Sequence, residues 1–214
     1  MMMSIQRLPV PVIVVGNISV GGTGKTPAVI YLAHQLRLAG YYPGIISRGY
    51  GRSNSLVQAV SLSSTPEQVG DEPLLIATRT GCPVFVGNDR VAAGAALLKQ
   101  HPEVNVIISD DGLQHYRLKR SMEVALVDAD RGVGNGFLIP AGPLRESVDR
   151  LSLVDVVIVN GDVAALKLPL PNKNLFSMRL VGETFFSLNG KQKKPAQYFK
   201  NKKLAAVAGI GNPD

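Results

Sequence analysis

Apolar residues in this chain gather in short runs, separated by longer stretches in which they recur every three or four positions. Val10-Pro11-Val12-Ile13-Val14-Val15 is such a run, rich in β-branched residues, and it predicts a buried strand over Val12–Val15. Ala28–Leu38 predicts a helix, closed by Gly40. The alternation continues with a strand at Gly44–Ser47, a polar stretch from Ser53 to Val69 that reads as loop with some strand, and a helix over Asp71–Thr80. Next come a strand at Pro83–Val86, an Ala-rich helix over Asp89–Gln100, and strands at Val104–Ser109, Glu123–Val127 and Val154–Val159. Strands separated by helices imply right-handed βαβ units, hence a parallel sheet with helices on both faces. Ligands of such sheets bind beyond the carboxyl ends of the strands.

After residue 165 the pattern changes. Pro169, Pro171, Asn172 and Asn174 form a break, and Leu175–Val181 alternates as a half-exposed strand would. Phe185–Leu188 with Asn189-Gly190 suggests a strand entering a hairpin. Leu204–Ala208 reads as a new buried strand. The expected organisation is an α/β core over 1–165, a linker with a hairpin over 166–203, and the first strand of a second α/β domain over 204–214. On this reading the chain is truncated at its C-terminus.

Composition narrows the classes. The single cysteine, Cys82, excludes an internal disulfide and suits a reducing compartment. No segment reaches the roughly 20 apolar residues that span a bilayer, and Met1–Arg7 is too short and polar for a signal peptide. The net charge of +7 points to an anionic partner. It is concentrated late: nine basic residues and one acid, Glu183, lie between Lys167 and Lys203. That stretch reads either as a solvated face or as a surface for anionic lipid.

The chemistry centres on Gly16–Pro27, a glycine-rich loop between the first strand and the first helix. Strand, loop, Gly-Lys-Thr and helix is the arrangement that grips nucleotide phosphates. The backbone of Ser19, Val20, Gly21, Gly22, Thr23 and Gly24 would cradle the anion, Lys25 would reach the β/γ-phosphates, and the Thr26 hydroxyl would hold Mg²⁺. Ser19 stands where the strict pattern has Gly, and Val20 where one P-loop branch carries Lys. The competing reading is a glycine turn with a chance Gly-Lys-Thr. Ile107-Ile108-Ser109-Asp110-Asp111-Gly112 is an apolar strand ending in acids, which suits Asp110 and Asp111 to Mg²⁺; a solvated turn is the alternative. Asp71, in Gly70-Asp71-Glu72-Pro73, is either a helix N-cap or a general base for a substrate hydroxyl. Arg48, Arg52 and Arg145 are candidate phosphate contacts, and Glu146 a candidate metal contact. Asn160 follows a late strand, where related folds read the nucleotide base.

These motifs occur in a fixed order: Gly16–Pro27, Ser47–Arg52, Gly70–Ala77, Ser109–Leu118, Gly134–Glu146 and Val157–Asp162. Together they resemble the tetraacyldisaccharide 4′-kinases of Gram-negative bacteria, from about residue 8 to the end. The fold implied is P-loop NTPase-like. The implied reaction transfers the ATP γ-phosphate, with Mg²⁺, to the 4′-hydroxyl of a tetraacyldisaccharide 1-phosphate at the cytoplasmic face of the inner membrane, in lipid A biosynthesis. The resemblance assigns Asp71 as catalytic base, Asp110 and Asp111 as the acidic pair, and Glu146 as a further metal-associated acid. It also implies an N-terminal membrane segment and a second-domain His, neither found in this sequence; His101 and His115 do not occupy the position of that His. Two other function classes stand beside this one. One is a nucleotide-switch protein of the metal-insertion GTPase or partitioning ATPase type, or a nucleotide-binding but catalytically impaired fragment. The other is a nucleic-acid binder, suggested by charge alone and without a recognisable motif; no nucleic-acid partner is expected.

Overall fold

A computed structural model of the chain describes residues 4–166, 168, 174–187 and 191–205. In chain order the elements are β1 (Val12–Gly16), α1 (Lys25–Leu38), β2 (Pro43–Ser47), β3 (Gln58–Ala59), α2 (Pro66–Val69), α3 (Asp71–Thr80) and β4 (Val84–Val86). They continue with α4 (Arg90–Gln100), β5 (Val106–Asp110), β6 (Met122–Asp128), β7 (Val156–Asn160), β8 (Leu175–Met178), β9 (Thr184–Phe186) and β10 (Lys193–Pro195).

The β-branched run at residues 12–15 becomes an interior strand because both of its faces find apolar cover. β1 pairs in parallel with β5 on one side and with β6 on the other. The whole sheet runs β3-β4-β2-β5-β1-β6-β7-β8, and β3 alone is antiparallel to its neighbour. Alternating side chains divide the core in two. Val12, Val14, Ile46 and Ile107 face Ala93 and Leu97 of α4. Val15, Ile45 and Ile108 face Ala28, Val29 and Ala33 of α1 and Ile76 and Ala77 of α3. Helices therefore cover both faces, as the alternation of runs predicts.

Beyond β5 the helices stop among the described residues. The β5–β6 connection is a series of turns, and a long strap with a single 3₁₀ turn at Val148–Ser152 joins β6 to β7. Leu113, Leu118, Leu144 and Leu151 from these irregular segments are buried where a crossover helix would pack. Apolar anchors one at a time carry no helical period, so the sequence pattern has nothing to show there. The polar stretch 53–69 contains one further helix, α2, closed at its start by a reciprocal Thr65–Gln68 capping box.

Leu175–Met178 pairs with β7 and forms the last strand of the main sheet, so the stretch read as linker also contributes to the core. β9 and β10 form the expected antiparallel hairpin. Its turn at Asn189-Gly190 lies outside the described residues, as does most of the strand expected over Leu204–Ala208.

Candidate functional site

The parallel strands bring their carboxyl ends to one rim. Register places Val15 beside Asp110 and Asp128 beside Asn160, while β2 ends at Ser47. The glycine-rich loop leaves β1 on this rim and feeds directly into α1, whose first residues are Lys25 and Thr26. Pro27 has no N–H, and the Ala28 N–H donates to the Gly24 carbonyl at 3.1 Å. The open donors at this helix end are therefore the N–H groups of Lys25 and Thr26, with no acid in the first turn to compete for them.

The loop is braced from inside. Asn17 is fully buried, and its side-chain amide donates to Thr23 Oγ1 at 3.1 Å and to the Gly21 carbonyl at 3.4 Å. It is also strapped from outside. The Val20 N–H donates to the Pro143 carbonyl at 2.8 Å, and the Arg145 N–H to the Ile18 carbonyl at 2.6 Å. The Pro-Ala-Gly-Pro-Leu-Arg-Glu segment thus lies along the phosphate loop, which explains why two distant motifs belong to one site.

Asp110 and Asp111 have different environments although they are neighbours. Asp110 ends β5, is 1% exposed, and accepts the Ser47 hydroxyl at 2.9 Å on one oxygen. Its other oxygen, Oδ1, is buried without a partner. Burial, helped by the nearby Glu72 charge, pushes this carboxyl up to about 6. Asp111 turns into the left-handed region at φ 46°, which swings its carboxylate into the cleft. There it meets Arg145 Nη1 at 3.0 Å and Lys25 Nζ at 3.6 Å. Burial works against its charge, but Lys25 and Arg145 outweigh it and hold the carboxyl below its ordinary range. Behind the pair, the guanidinium of Arg90 is 3% exposed and lies 3.5 Å from the carbonyls of both aspartates. Burial lowers Arg90 to about 10, which still leaves it charged at neutral pH.

The orphaned Oδ1 of Asp110 is what a divalent cation would complete, since a buried carboxylate oxygen without a donor is costly. Among the described residues no three His, Cys, Asp or Glu converge as a metal cage. Mg²⁺ needs only one or two carboxylates together with phosphate and water oxygens, and Asp110 and Asp111 are two adjacent carboxylates at the cleft.

Lys25, Arg48, Asp71, Asp110, Asp111, Arg145 and Gly21 line one cleft of about 760 Å³, along with Tyr50, Glu72 and Gln114. Asp71 is not the N-cap of α3. Gly70 holds that place, and Asp71 is the first helical residue, exposed at the cleft. Its Oδ1 accepts the Glu72 N–H at 2.9 Å. Of the phosphate-loop residues and Thr26, only Gly21 and Lys25 belong to the cleft lining, and Arg52, Asn160 and Glu146 also stand apart from it. Arg52 folds back onto the Leu56 carbonyl at 2.5 Å. Asn160 sits against Gly24, where a Cβ would come within 3.3 Å of its amide nitrogen. Glu146 has its oxygens engaged by Gln114 Nε2 at 2.6 Å, by the Tyr116 hydroxyl, and by Arg150 Nε at 3.3 Å.

Gln114 connects these parts, and the sequence gives no sign of it beyond its place after the acidic pair. Its amide nitrogen donates to the Asn17 carbonyl at 3.1 Å as well as to Glu146, and its oxygen accepts Arg145 Nη1 at 3.4 Å. One side chain thus joins the phosphate loop, the strap and the arginine that holds Asp111. Asn17, Ser47 and Arg90 also escape a sequence reading, because each acts through burial against a partner far along the chain.

A family model described as tetraacyldisaccharide-1-P 4′-kinase matches residues 1–214. Among curated relatives, a tetraacyldisaccharide 4′-kinase of Janthinobacterium sp. is 54% identical over 97% of this chain and 60% of its own length. One of Dechloromonas aromatica is 54% identical over 98% of this chain and 62% of its own. The chain thus spans about three-fifths of the length of these relatives. A crystal structure of LpxK from Aquifex aeolicus, described as an "apo" form in complex with ATP, superposes with a TM-score of 0.77 at 32% identity, over 94% of this chain and 64% of that one.

Proposed function

The chain belongs to the tetraacyldisaccharide-1-P 4′-kinase family, and from that premise we propose that it carries the ATP-binding and phosphoryl-transfer site of such a kinase. The reaction is transfer of the ATP γ-phosphate to the 4′-hydroxyl of tetraacyldisaccharide 1-phosphate, in lipid A biosynthesis. The observation that carries this reading is the meeting of Lys25, Asp111 and Arg145 beneath a strapped phosphate loop, with Asp71 lining the same cleft.

In this reading the N–H groups of the loop and of Lys25 and Thr26 receive the β- and γ-phosphates. Lys25 and Arg145 divide their charge between Asp111 and the phosphate oxygens. Asp110, Asp111 and the Thr26 hydroxyl would hold Mg²⁺, which neutralises charge on the phosphates when bound. Glu146 supports that acid group from behind by fixing Gln114. Asp71, exposed at the cleft, takes the proton of the acceptor hydroxyl. Arg48, in the cleft lining, stands on the acceptor side, while Arg52 is turned to the Leu56 carbonyl and leaves that contact if it meets the acceptor; Asn160, beside Gly24, reads the base. Peripheral attachment to the anionic cytoplasmic face of the inner membrane is supported by the basic hairpin, where Lys193, Lys194 and Lys202 lie near exposed Phe186 and Tyr198. No helix among the described residues is long and apolar enough to cross a membrane.

The test is γ-labelled ATP with the disaccharide 1-phosphate, using a full-length protein that contains this sequence. Wild type transfers label. Asp71→Ala lowers kcat by about a hundredfold or more while leaving nucleotide affinity in place. Undiminished turnover in that variant removes Asp71 as base, and absence of transfer in the wild type removes the kinase reading.

A further inference from the structure

The phosphate loop has a second cationic neighbour that no motif announces. β6 runs parallel to β1, so its carboxyl end emerges beside the loop that leaves β1. The chain there is tightly pinned. Asp128 Oδ1 accepts the N–H groups of Asp130 and Arg131 at 3.1 and 3.0 Å. Its carbonyl accepts the Gly132 N–H at 2.9 Å, and the Ala129 N–H donates to the Asn160 carbonyl at 2.9 Å. The backbone of Arg131 is therefore fixed, while its side chain is exposed.

The guanidinium lies across the crest of the loop. A Cβ built on Gly21 would fall 2.6 Å from its Nη2 and 2.7 Å from its Nη1, and the φ of 97° at Gly21 already favours glycine. Its one hydrogen bond among the described residues is long, 3.4 Å from Nη1 to the Gly22 carbonyl, and it makes no ion pair among them. A guanidinium offers five N–H donors in a planar fork suited to phosphate, and here nearly all are open. By contrast, the cations on the cleft side, Lys25 and Arg145, are both drawn to Asp111.

We propose that Arg131 is a nucleotide-binding residue, a clamp that leaves the Gly22 carbonyl and takes up non-bridging oxygens of the bound polyphosphate from the side of the loop opposite Asp111. The ligand class is a nucleoside di- or triphosphate. The proposal rests on the ATP-site reading above and adds to it a charge that the loop motif does not contain.

Affinities of the 214-residue chain for Mg-ATP and Mg-ADP, measured by calorimetry at two salt concentrations, test it with four variants. Arg131→Ala weakens both nucleotides by about tenfold, the size of one charge-assisted contact, and the fall of affinity with salt becomes shallower than in wild type. Arg131→Lys recovers part of the loss, while Arg131→Gln, which can still donate to the Gly22 carbonyl but has no charge, does not. Lys25→Ala is the control for the site itself. Wild-type affinity in Arg131→Ala, or full recovery by Arg131→Gln with an unchanged salt dependence, overturns the clamp and leaves only a brace of the loop. If Mg-ATP does not bind the wild type, or binds it independently of Lys25, the ATP-site reading falls and the clamp with it.

Discussion

Asp110 carries a cost that its neighbour Asp111 does not. Its carboxyl sits near 6 in the folded protein, against an ordinary value of 3.8, because burial disfavours its charge. A raised carboxyl means that the native state keeps a proton which the unfolded chain has already lost between about pH 4 and pH 6. Its contribution therefore favours the fold at low pH and is lost as pH rises through about 6. Asp110→Asn keeps the Ser47 contact in reach but cannot ionise. In thermal melts without Mg²⁺, the variant should match wild type near pH 3.5, below the ordinary carboxyl value, and exceed it by several degrees at pH 8, because the penalty is then fully present. Comparison of the two proteins cancels the titration of groups that do not interact with Asp110; Glu72 and Asp111 are coupled to it. Mg²⁺ should narrow the gap at pH 8 by stabilising wild type alone. A gap independent of pH would remove burial of this charge as its cause. The sequence shows an acidic pair at a strand end; it does not show that Ser47 and a closed core receive one acid while Lys25 and Arg145 receive the other.

At the scale of elements, the placement of Asp71 depends on one backbone position. Gly70 sits at φ 90° and ψ 151°, a region essentially restricted to glycine. A Cβ there would lie 3.0 Å from Gly49 Cα and 3.1 Å from the Tyr50 carbonyl, so α3 starts in direct contact with the glycine turn that carries Arg48. Gly70→Ala should cost about 1–3 kcal/mol in urea unfolding and should also raise KM for the acceptor in the full-length kinase, because Asp71 and Arg48 would be pushed apart. Loss of stability without a change in KM would separate the two turns functionally. Strands and helices over the first hundred or so residues were legible because each repeats a short-period apolar pattern. α2 was not, at four residues and in polar surroundings, and neither was the strap over residues 137–146, whose long-range backbone hydrogen bonds among the described residues go to the phosphate loop more than a hundred residues earlier.

Across the whole molecule, charge and exposed aromatic surface fall together at the end of the described chain. Phe185, Phe186 and Tyr198 are each about half exposed, and Lys202 Nζ lies 3.5 Å from the Tyr198 ring centroid. Lys194 is 4.9 Å from the same ring, and Lys193 is 5.6 Å from that of Phe186. Aromatic rings with adjacent lysines suit the boundary between lipid headgroups and water, where each basic residue is worth about 1 kcal/mol on an anionic surface. The basic run was visible in the sequence; its pairing with aromatic rings required the β9–β10 hairpin and the turn after it to bring the two together. Replacing Lys193, Lys194 and Lys202 together by Ala should weaken sedimentation with anionic vesicles by up to about a hundredfold, taking those energies as additive. Binding to neutral vesicles should be little changed, and wild-type binding should fall as salt is raised. Phe186→Ala distinguishes pure electrostatics from insertion. If the ring enters the interface, its loss weakens binding to anionic vesicles even at high salt, where the lysines are screened. Equal binding by the triple variant and the wild type would leave the net charge of +7 to the nucleotide and acceptor phosphates alone.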